Sequence, residues 1–244
     1  MKQVKIMGVP LSHIDHKTLV KQLDEHVMLE EKSFVITVNP EIVMRANEDT
    51  AYMNHLHKAN YITADGIGII RASQLLKDPL PERVTGYDLM IDLLSISNIK
   101  GYKIFLLGAH KDVLKRVETN LQHFYPDIQI VGSHDGYFNW DQSDEIVEQV
   151  KQADPDLTFV ALGAPKQEQW ISENIDQFNK GVFLCVGGSF DVIAGDVKRA
   201  PATWRKYNVE WLYRLLKQPK RWRRMLALPR FAIRIIKRKL KGSP

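Results

Sequence analysis

Short runs of aliphatic and β-branched residues alternate along the chain with segments whose apolar residues recur at helical spacing. This alternation is typical of βαβ units and predicts an α/β fold with a mainly parallel sheet flanked by helices. The later strands are almost continuously apolar, as expected for strands that helices cover on both faces. The predicted strands are Val4–Met7, Phe34–Val38, Tyr61–Ala64, Lys103–Leu107, Ile128–Val131, Leu157–Leu162 and Val182–Val186. The predicted helices are His16–Glu30, Glu41–Asn54, Gly66–Leu76, Tyr87–Ser97, Lys111–Phe124, Ser143–Gln152 and Lys166–Phe178.

Small and polar residues follow several of these strands, at the sheet edge where open parallel sheets bind ligands. A glycine in such a turn lets a ligand approach the backbone, and the helix N-terminus that follows favours phosphate. Any one of these glycines could equally serve only to make a tight turn. Taken together, they favour a phosphorylated or nucleotide ligand. The turns are Asp65-Gly66, Gly108-Ala109, Gly163-Ala164-Pro165 and Gly187-Gly188-Ser189.

The common phosphate-binding and metal-binding motifs are absent from the sequence. It contains no P-loop, and neither Gly66 nor Gly108 opens a G-x-G-x-x-G motif, which argues against a P-loop NTPase and a common NAD-binding dehydrogenase. Asp154-Pro155-Asp156 resembles the D-x-D metal motif of sugar transferases, but it precedes a strand and is better explained as a turn. The histidines show no metal-ligand spacing, so we expect neither a metal nor another cofactor.

Three polar residues at the predicted ligand edge each allow two interpretations. Asp65 could cap the following helix or act as a general base that deprotonates a hydroxyl group. Arg83 could pair with a phosphate or be solvated in its loop. Gln167 could hydrogen-bond a sugar or cap the helix that it opens.

Charge is distributed unevenly along the 244 residues. The formal net charge is +5, yet residues 195–244 carry 16 Lys and Arg against two acids, whereas residues 1–194 carry a net charge of −9. This asymmetry indicates an anionic partner, which could be nucleic acid, a membrane surface or a phosphorylated substrate. A single cysteine fits a reducing compartment, and Met1–Pro10 lacks the apolar core of a signal peptide, so we expect a cytoplasmic protein. No apolar run is long enough to span a bilayer.

We therefore divide the chain into a body, residues 1–194, and a basic helical tail, residues 195–244. Near the end of the tail, basic residues fall within a helical arc of about 100°, and mostly aliphatic residues occupy the rest. Such a helix favours a membrane surface over nucleic acid, which would not cover the aliphatic face. A third interpretation docks this helix on the body or on a second subunit. The basic residues are Arg230, Arg234, Lys237, Arg238 and Lys241, and the aliphatic face includes Ile233, Ile236 and Leu240.

Several longer motifs resemble those of the WecG/TagA/CpsF family of bacterial glycosyltransferases, over essentially the whole chain. The resemblance implies a Rossmann-like catalytic domain that works without a bound metal, and a tail that binds the membrane and completes the active site. The motifs are TVNPE at Thr37–Glu41, TADGIGI at Thr63–Ile69, PERVTGYDL at Pro81–Leu89, LLGA at Leu106–Ala109, ALGAPKQEQW at Ala161–Trp170, VGGSFDVIAGDVKRAP at Val186–Pro201 and EWLYRLLKQPKRWRR at Glu210–Arg224.

Within the family, the sequence is most similar to the members that make the linkage unit of wall teichoic acid. This similarity implies inverting transfer of N-acetylmannosamine from its UDP donor to the 4-hydroxyl of N-acetylglucosamine on undecaprenyl diphosphate. The implied location is the inner face of the cell membrane. Two alternatives stay open: another UDP-sugar donor, namely N-acetylmannosaminuronic acid or glucose, and a non-catalytic protein that binds nucleotides or nucleic acid. Apolar helix faces also make self-association plausible.

The resemblance also implies roles for individual residues. It makes Asp65 the general base, which would take the proton of the attacking hydroxyl. Pocket residues that would orient the substrates are Thr37, Asn39, Arg83 and Gln167. The UDP site would include Gly108, Tyr137, Gly187 and Asp191. The tail arginines expected to approach the phosphates are Arg214, Arg221 and Arg224.

Overall fold

A computed structural model describes residues 2–219 and 222–241, without the side chains of Arg214, Arg223 and Lys241. Its strands, β1 to β8, are Gln3–Ile6, Val9–Ser12, Lys32–Val38, Tyr61–Ala64, Lys103–Gly108, Gln129–His134, Leu157–Ala161 and Gly181–Cys185. Its helices, α1 to α13, are His16–Met28, Pro40–Glu48, Thr50–His57, Ile67–Leu75, Gly86–Lys100, Lys111–Phe124, Ser143–Ala153, Lys166–Asn174, Ser189–Ile193, Ala202–Lys206, Glu210–Lys217, Trp222–Met225 and Ala227–Lys241.

Six of the strands form one parallel sheet in the order β4-β3-β8-β7-β5-β6. Because the strands are parallel, their carboxyl ends all reach the same edge of the sheet, and the turns singled out in the sequence line that edge. The predicted α/β fold with a parallel sheet flanked by helices is confirmed.

Helices cover both faces of this sheet, and the alternation along β5 shows how the strands serve two cores. Phe105 and Leu107 are buried in the core that includes α2, α3 and α8. Ile104 and Leu106 are buried in the opposite core, which includes α1, α5 and α6. This double burial explains why the strands are almost continuously apolar.

Two local features differ from the prediction. Strand β2 was not predicted from the sequence, and it pairs antiparallel with β1 in a separate two-stranded sheet. The predicted helix Glu41–Asn54 is two helices, because Asp49 ends α2 and its carboxylate accepts the Tyr52 N–H at 3.0 Å as the N-cap of α3.

The Asp154-Pro155-Asp156 segment is a turn at the amino ends of the strands, as the sequence indicates. Asp154 ends α7 in the left-handed conformation. The Asp156 carboxylate accepts hydrogen bonds from the Lys103 backbone N–H and the Lys180 ammonium group, both at 2.8 Å. These contacts give the segment a structural role far from the ligand edge.

The basic tail returns to the body and packs there through α13. Phe231 and Ile235, which are 3% and 2% exposed, join the core around α2 and α4. Arg234 of α13 forms an ion pair with Glu48 of α2 at 3.1 Å. One face of α13 is therefore docked on the body, whereas Ile233 and Leu240 on another face are exposed. None of the described helices combines the length and the apolar content needed to cross a bilayer.

Candidate active site at the sheet edge

A pocket of about 420 Å³ lies between the first turns of α2 and α4 and the tail. Four of the predicted site residues line it together: Asn39, Asp65, Arg83 and Arg224. Asn39 follows β3, Asp65 follows β4, and Arg83 lies in the loop after α4. Arg224 comes from α12 in the tail. The pocket is therefore built jointly by the body and the tail.

Asp65 follows β4 directly, and its backbone N–H donates to the Val38 carbonyl at 2.9 Å, which continues the pairing with β3. The N-cap of α4 is Gly66, and no side chain caps that helix. The structure therefore does not show Asp65 as a helix cap. Asp65 is instead one of the residues that line the pocket.

Asn39 is both the N-cap of α2 and a lining residue of the pocket. Its Oδ1 accepts the Ile42 N–H at 3.0 Å, so the Nδ2 amide is the group left to donate to a ligand. Asn39 lies close to the start of α4 because Gly66 and Gly68 have no side chains. A Cβ atom at either glycine would be 2.9 Å from the Pro40 ring.

Two of the arginines that line the pocket, Arg83 and Arg224, are each paired with a glutamate across the junction of body and tail. Arg83 of the body pairs with Glu210 of the tail, with 3.6 Å between Nη1 and Oε2. Arg224 of the tail pairs with Glu41 of the body, with 2.8 Å between Nε and Oε1. Sequence reasoning did not assign a role to either glutamate. Both arginine side chains remain near the pocket, where guanidinium groups can bind phosphate oxygens.

A second charged cluster lies behind Arg83, at the start of α5. Burial alone would raise the pKa of Asp88, but hydrogen bonds from the Thr85 hydroxyl at 2.7 Å and from Arg199 at 2.6 Å lower it. The Arg199 guanidinium also lies 4.4 Å from the centre of the Tyr87 ring. These contacts fix the segment that carries Arg83.

The middle of the edge contains Thr37, Gly187 and Gln167. Thr37 is partly buried in β3, next to the start of α5. Gln167 is buried, and its Oε1 accepts the Gly163 N–H at 3.2 Å. A Cβ atom at Gly187 would lie 4.0 Å from the Gln167 Oε1 atom. Gln167 thus fixes the turn after β7, and its immediate contacts are within the protein.

Glu168 is a residue that sequence reasoning missed. It is fully buried, and its Oε1 accepts the Nε2–H of Gln167 at 2.8 Å. Burial raises the pKa of Glu168, which favours the neutral acid. Burial also raises the pKa of Tyr52 on α3, the helix that packs against α8. Glu168 lies in the segment PKQEQW, but nothing in the sequence separates it from a surface glutamate of a helix.

The far end of the edge contains Gly108 and Tyr137. Gly108 has φ +124°, and a Cβ there would lie 2.5 Å from the Ala161 backbone, so only glycine fits. The Ala109 carbonyl accepts the Gly136 N–H at 2.8 Å, which brings the turns after β5 and β6 together. Tyr137 is 78% exposed and packs edge-on against His110. The exposed Tyr137 ring therefore lies near the turn that contains Gly108, where no side chain covers the backbone.

The predicted residues thus lie along one edge rather than in one cavity. Five strand spacings of about 4.8 Å, about 24 Å in all, separate the Asp65 end from the Tyr137 end. Asp191 lies between them in α9, after β8. Arg221 and the side chain of Arg214 fall outside the described residues. Within residues 2–219 and 222–241, no three His, Cys, Asp or Glu side chains cluster closely enough to hold a metal ion.

Comparison with known proteins shows which family the chain belongs to. A relative from Bacillus subtilis (strain 168), named N-acetylglucosaminyldiphosphoundecaprenol N-acetyl-beta-D-mannosaminyltransferase, is 40% identical over 238 residues, which are 97% of this chain and 92% of the relative. A relative of the same name from Staphylococcus aureus (strain MW2) is 40% identical over 241 residues, 98% of this chain and 94% of the relative. The profile of the Glycosyl transferase WecG/TagA/CpsF family matches residues 4–244. The chain belongs to this family of glycosyl transferases.

Proposed function

We propose that the protein transfers N-acetylmannosamine from UDP-N-acetylmannosamine to the 4-hydroxyl of the N-acetylglucosamine on undecaprenyl diphosphate. The reaction inverts the anomeric centre, releases UDP and builds the linkage unit of wall teichoic acid. The observation that carries the proposal is the 40% identity, over nearly the whole of each chain, to relatives named for this transfer. The pocket that contains Asp65 adds the groups that the reaction needs.

In the proposed reaction, the acceptor hydroxyl oxygen forms a bond to C1 of the donor sugar as the bond from C1 to the UDP oxygen breaks. Asp65 takes the proton of that hydroxyl, and UDP leaves with the bonding electron pair. The Nδ2 amide of Asn39, on the same wall, would orient one of the sugars. Negative charge develops on the leaving diphosphate, and arginines can offset it with paired hydrogen bonds.

Of the described arginines that line the pocket, we assign Arg83 and Arg224 to that task, and we assign Arg214 and Arg221 the same role. We assign the UDP moiety to the remaining length of the edge, from Gly187 to Tyr137. Gly108 and Gly187 would admit the nucleotide to the backbone, with Asp191 and Tyr137 contacting the uridine. Thr37 and Gln167 would hold the donor sugar between the two ends.

We also propose that the tail attaches the protein to the inner face of the cell membrane. Of the thirteen exposed large apolar side chains in the described residues, eight lie after residue 195, although this tail is a fifth of the chain. They accompany 16 Lys and Arg. Apolar side chains beside basic ones suit a surface of anionic lipid, where each cation contributes about 1 kcal/mol.

The test is turnover with a short-chain analogue of the lipid acceptor and a panel of UDP-sugars, with the product mass measured. We expect transfer of N-acetylhexosamine from UDP-N-acetylmannosamine, unchanged by EDTA. Asp65→Asn should lower kcat by roughly 10²- to 10⁴-fold, the range for loss of a general base. Asp92→Asn, an exposed carboxylate on α5, is the matched control. Near-full turnover by Asp65→Asn would disprove the mechanism, and preference for another UDP-sugar would disprove the donor.

A further inference from the structure

We infer that the apolar half of the pocket holds the first isoprene units of the acceptor, directly beside its diphosphate. This inference rests on the proposed function and adds to it a binding site for the lipid itself. The observation behind it is that the pocket continues from Asp65 into a groove between α4 and α13. Six apolar residues form the walls of this prenyl groove: Ile67, Ala72, Leu75, Leu228, Phe231 and Ile235.

The pocket is lined by both charged and apolar residues, as it must be for an amphiphilic ligand. Along α4, the lining runs from Asp65, before the first turn, to Ala72 and Leu75 in the last turn. Arg71 lies between them, and we assign it to the acceptor diphosphate, since Arg83 and Arg224 are assigned to the diphosphate of UDP. A diphosphate joined to a hydrocarbon chain matches this combination of charge and apolar surface. A free nucleotide-sugar would leave the apolar walls uncovered.

The open side of the prenyl groove leads to the exposed apolar face of the tail. Ile236 borders the pocket and is 51% exposed. Ile233 and Leu240 lie three residues before and four residues after it, so they share its face of α13. A chain leaving the prenyl groove would therefore pass onto the surface that we assign to the membrane. This continuity favours a membrane-derived prenyl chain over a peptide.

Binding measurements without turnover test the prenyl groove directly. Calorimetry in detergent-free buffer would compare farnesyl diphosphate with isopentenyl diphosphate, farnesol and inorganic pyrophosphate. We expect farnesyl diphosphate to bind at least tenfold more tightly than each of the other three, because only it combines a diphosphate with a hydrocarbon chain long enough to cover the apolar walls. Ala232 is exposed on α13 and borders the pocket, so Ala232→Trp would fill the groove without disturbing the core.

Ala232→Trp should weaken farnesyl diphosphate about tenfold and isopentenyl diphosphate by less than twofold. The matched control is Ala51→Trp, at an exposed position of α3 that does not line the pocket, and it should leave both affinities unchanged. Equal affinity for farnesyl and isopentenyl diphosphate would overturn the inference. Equal affinity for farnesol and farnesyl diphosphate would indicate a site for lipid chains in general, and would also overturn it.

Transfer kinetics separate this inference from the proposed function. Acceptors with N-acetylglucosamine diphosphate on a methyl or a farnesyl group should differ about tenfold in KM, and Ala232→Trp should reduce that difference. If both acceptors are used with equal KM, the transferase activity stands and the prenyl groove is wrong. If farnesyl diphosphate binds as expected but no acceptor is used, the groove stands as a diphosphate-lipid site and the proposed function fails.

Discussion

The Nη1 atom of Arg83 lies 3.6 Å from the Oε2 atom of Glu210, and the two side chains are only 20% and 10% exposed. This ion pair joins the body to the tail at the wall of the pocket. Because both groups are largely removed from water, the loss of one partner leaves the other poorly solvated. The pair is therefore expected to contribute to the position of the tail more than a surface pair would.

Glu210→Gln should lower the free energy of unfolding by about 1–3 kcal/mol, because the Arg83 guanidinium loses its buried counter-charge. The control is Asp196→Asn, which removes the partner of Arg116 from a pair whose side chains are nearly half exposed. That change should cost less than about 1 kcal/mol. Urea denaturation of both variants measures the difference. Equal losses would show that the junction pair is no more important than a surface pair.

Gly108→Ala should destabilise the protein strongly and weaken UDP binding. The new Cβ would meet the Ala161 backbone at 2.5 Å, in addition to the cost of the positive φ. Gly195→Ala is the control, since Gly195 has φ +86° but a Cβ at this position would have no atom within 4 Å. The control isolates the conformational cost, about 1–2 kcal/mol. Thermal denaturation should show a clearly larger loss for Gly108→Ala, and equal losses would contradict the steric argument.

Glu168→Gln should change how stability depends on pH. Because burial raises the pKa of Glu168 in the folded protein, the unfolded chain releases this proton first as the pH rises above about 4.5. The wild-type protein therefore loses stability as the pH rises through that region. The neutral glutamine removes this loss, so the variant should gain stability relative to wild type between pH 5 and pH 8.

Glu173→Gln, an exposed change on the same helix, is the control for this experiment and should keep the wild-type pH profile. Urea denaturation across the pH range measures both variants. A constant difference between Glu168→Gln and the wild type at every pH would contradict a raised pKa at Glu168.

The docked and exposed faces of α13 should respond differently to substitution. Phe231→Ala removes a side chain that is 3% exposed and should cost about 3 kcal/mol or more of stability. The double change Ile233→Ser and Leu240→Ser alters side chains that are 54% and 81% exposed. It should leave the unfolding transition within about 0.5 kcal/mol. It should also reduce co-sedimentation with phosphatidylglycerol vesicles, and undiminished vesicle binding would contradict the membrane role of this face.

The sheet was predictable because its central strands are apolar on both faces, and this pattern is visible in a single sequence. The hairpin of β1 and β2 was not predictable from the sequence, since Pro10 lies within the second strand. The turn also places Met7 at φ +51°, a conformation that a methionine does not indicate. The split at Asp49 was also hidden, because helical spacing continues on both sides of it.

Within the site, Asp65 and Asn39 could be found because each directly follows a strand, and their position in the fold depends on local sequence. The roles of the partners Glu41 and Glu210 could not be predicted from the sequence, because they depend on where the tail packs. Glu168 is hidden for a related reason. Its burial follows from the packing of α8 against α3, not from its own segment. Sequence thus indicated residues that line the pocket better than the residues that position them.

The helix α13 carries a face against the body and a second apolar face about 150° around its axis. If the second face enters the lipid surface, the body sits at a height fixed by one helix diameter, about 10 Å. The opening beside Ile236 would then face the lipid headgroups, and the tail would set the height of the pocket above the bilayer.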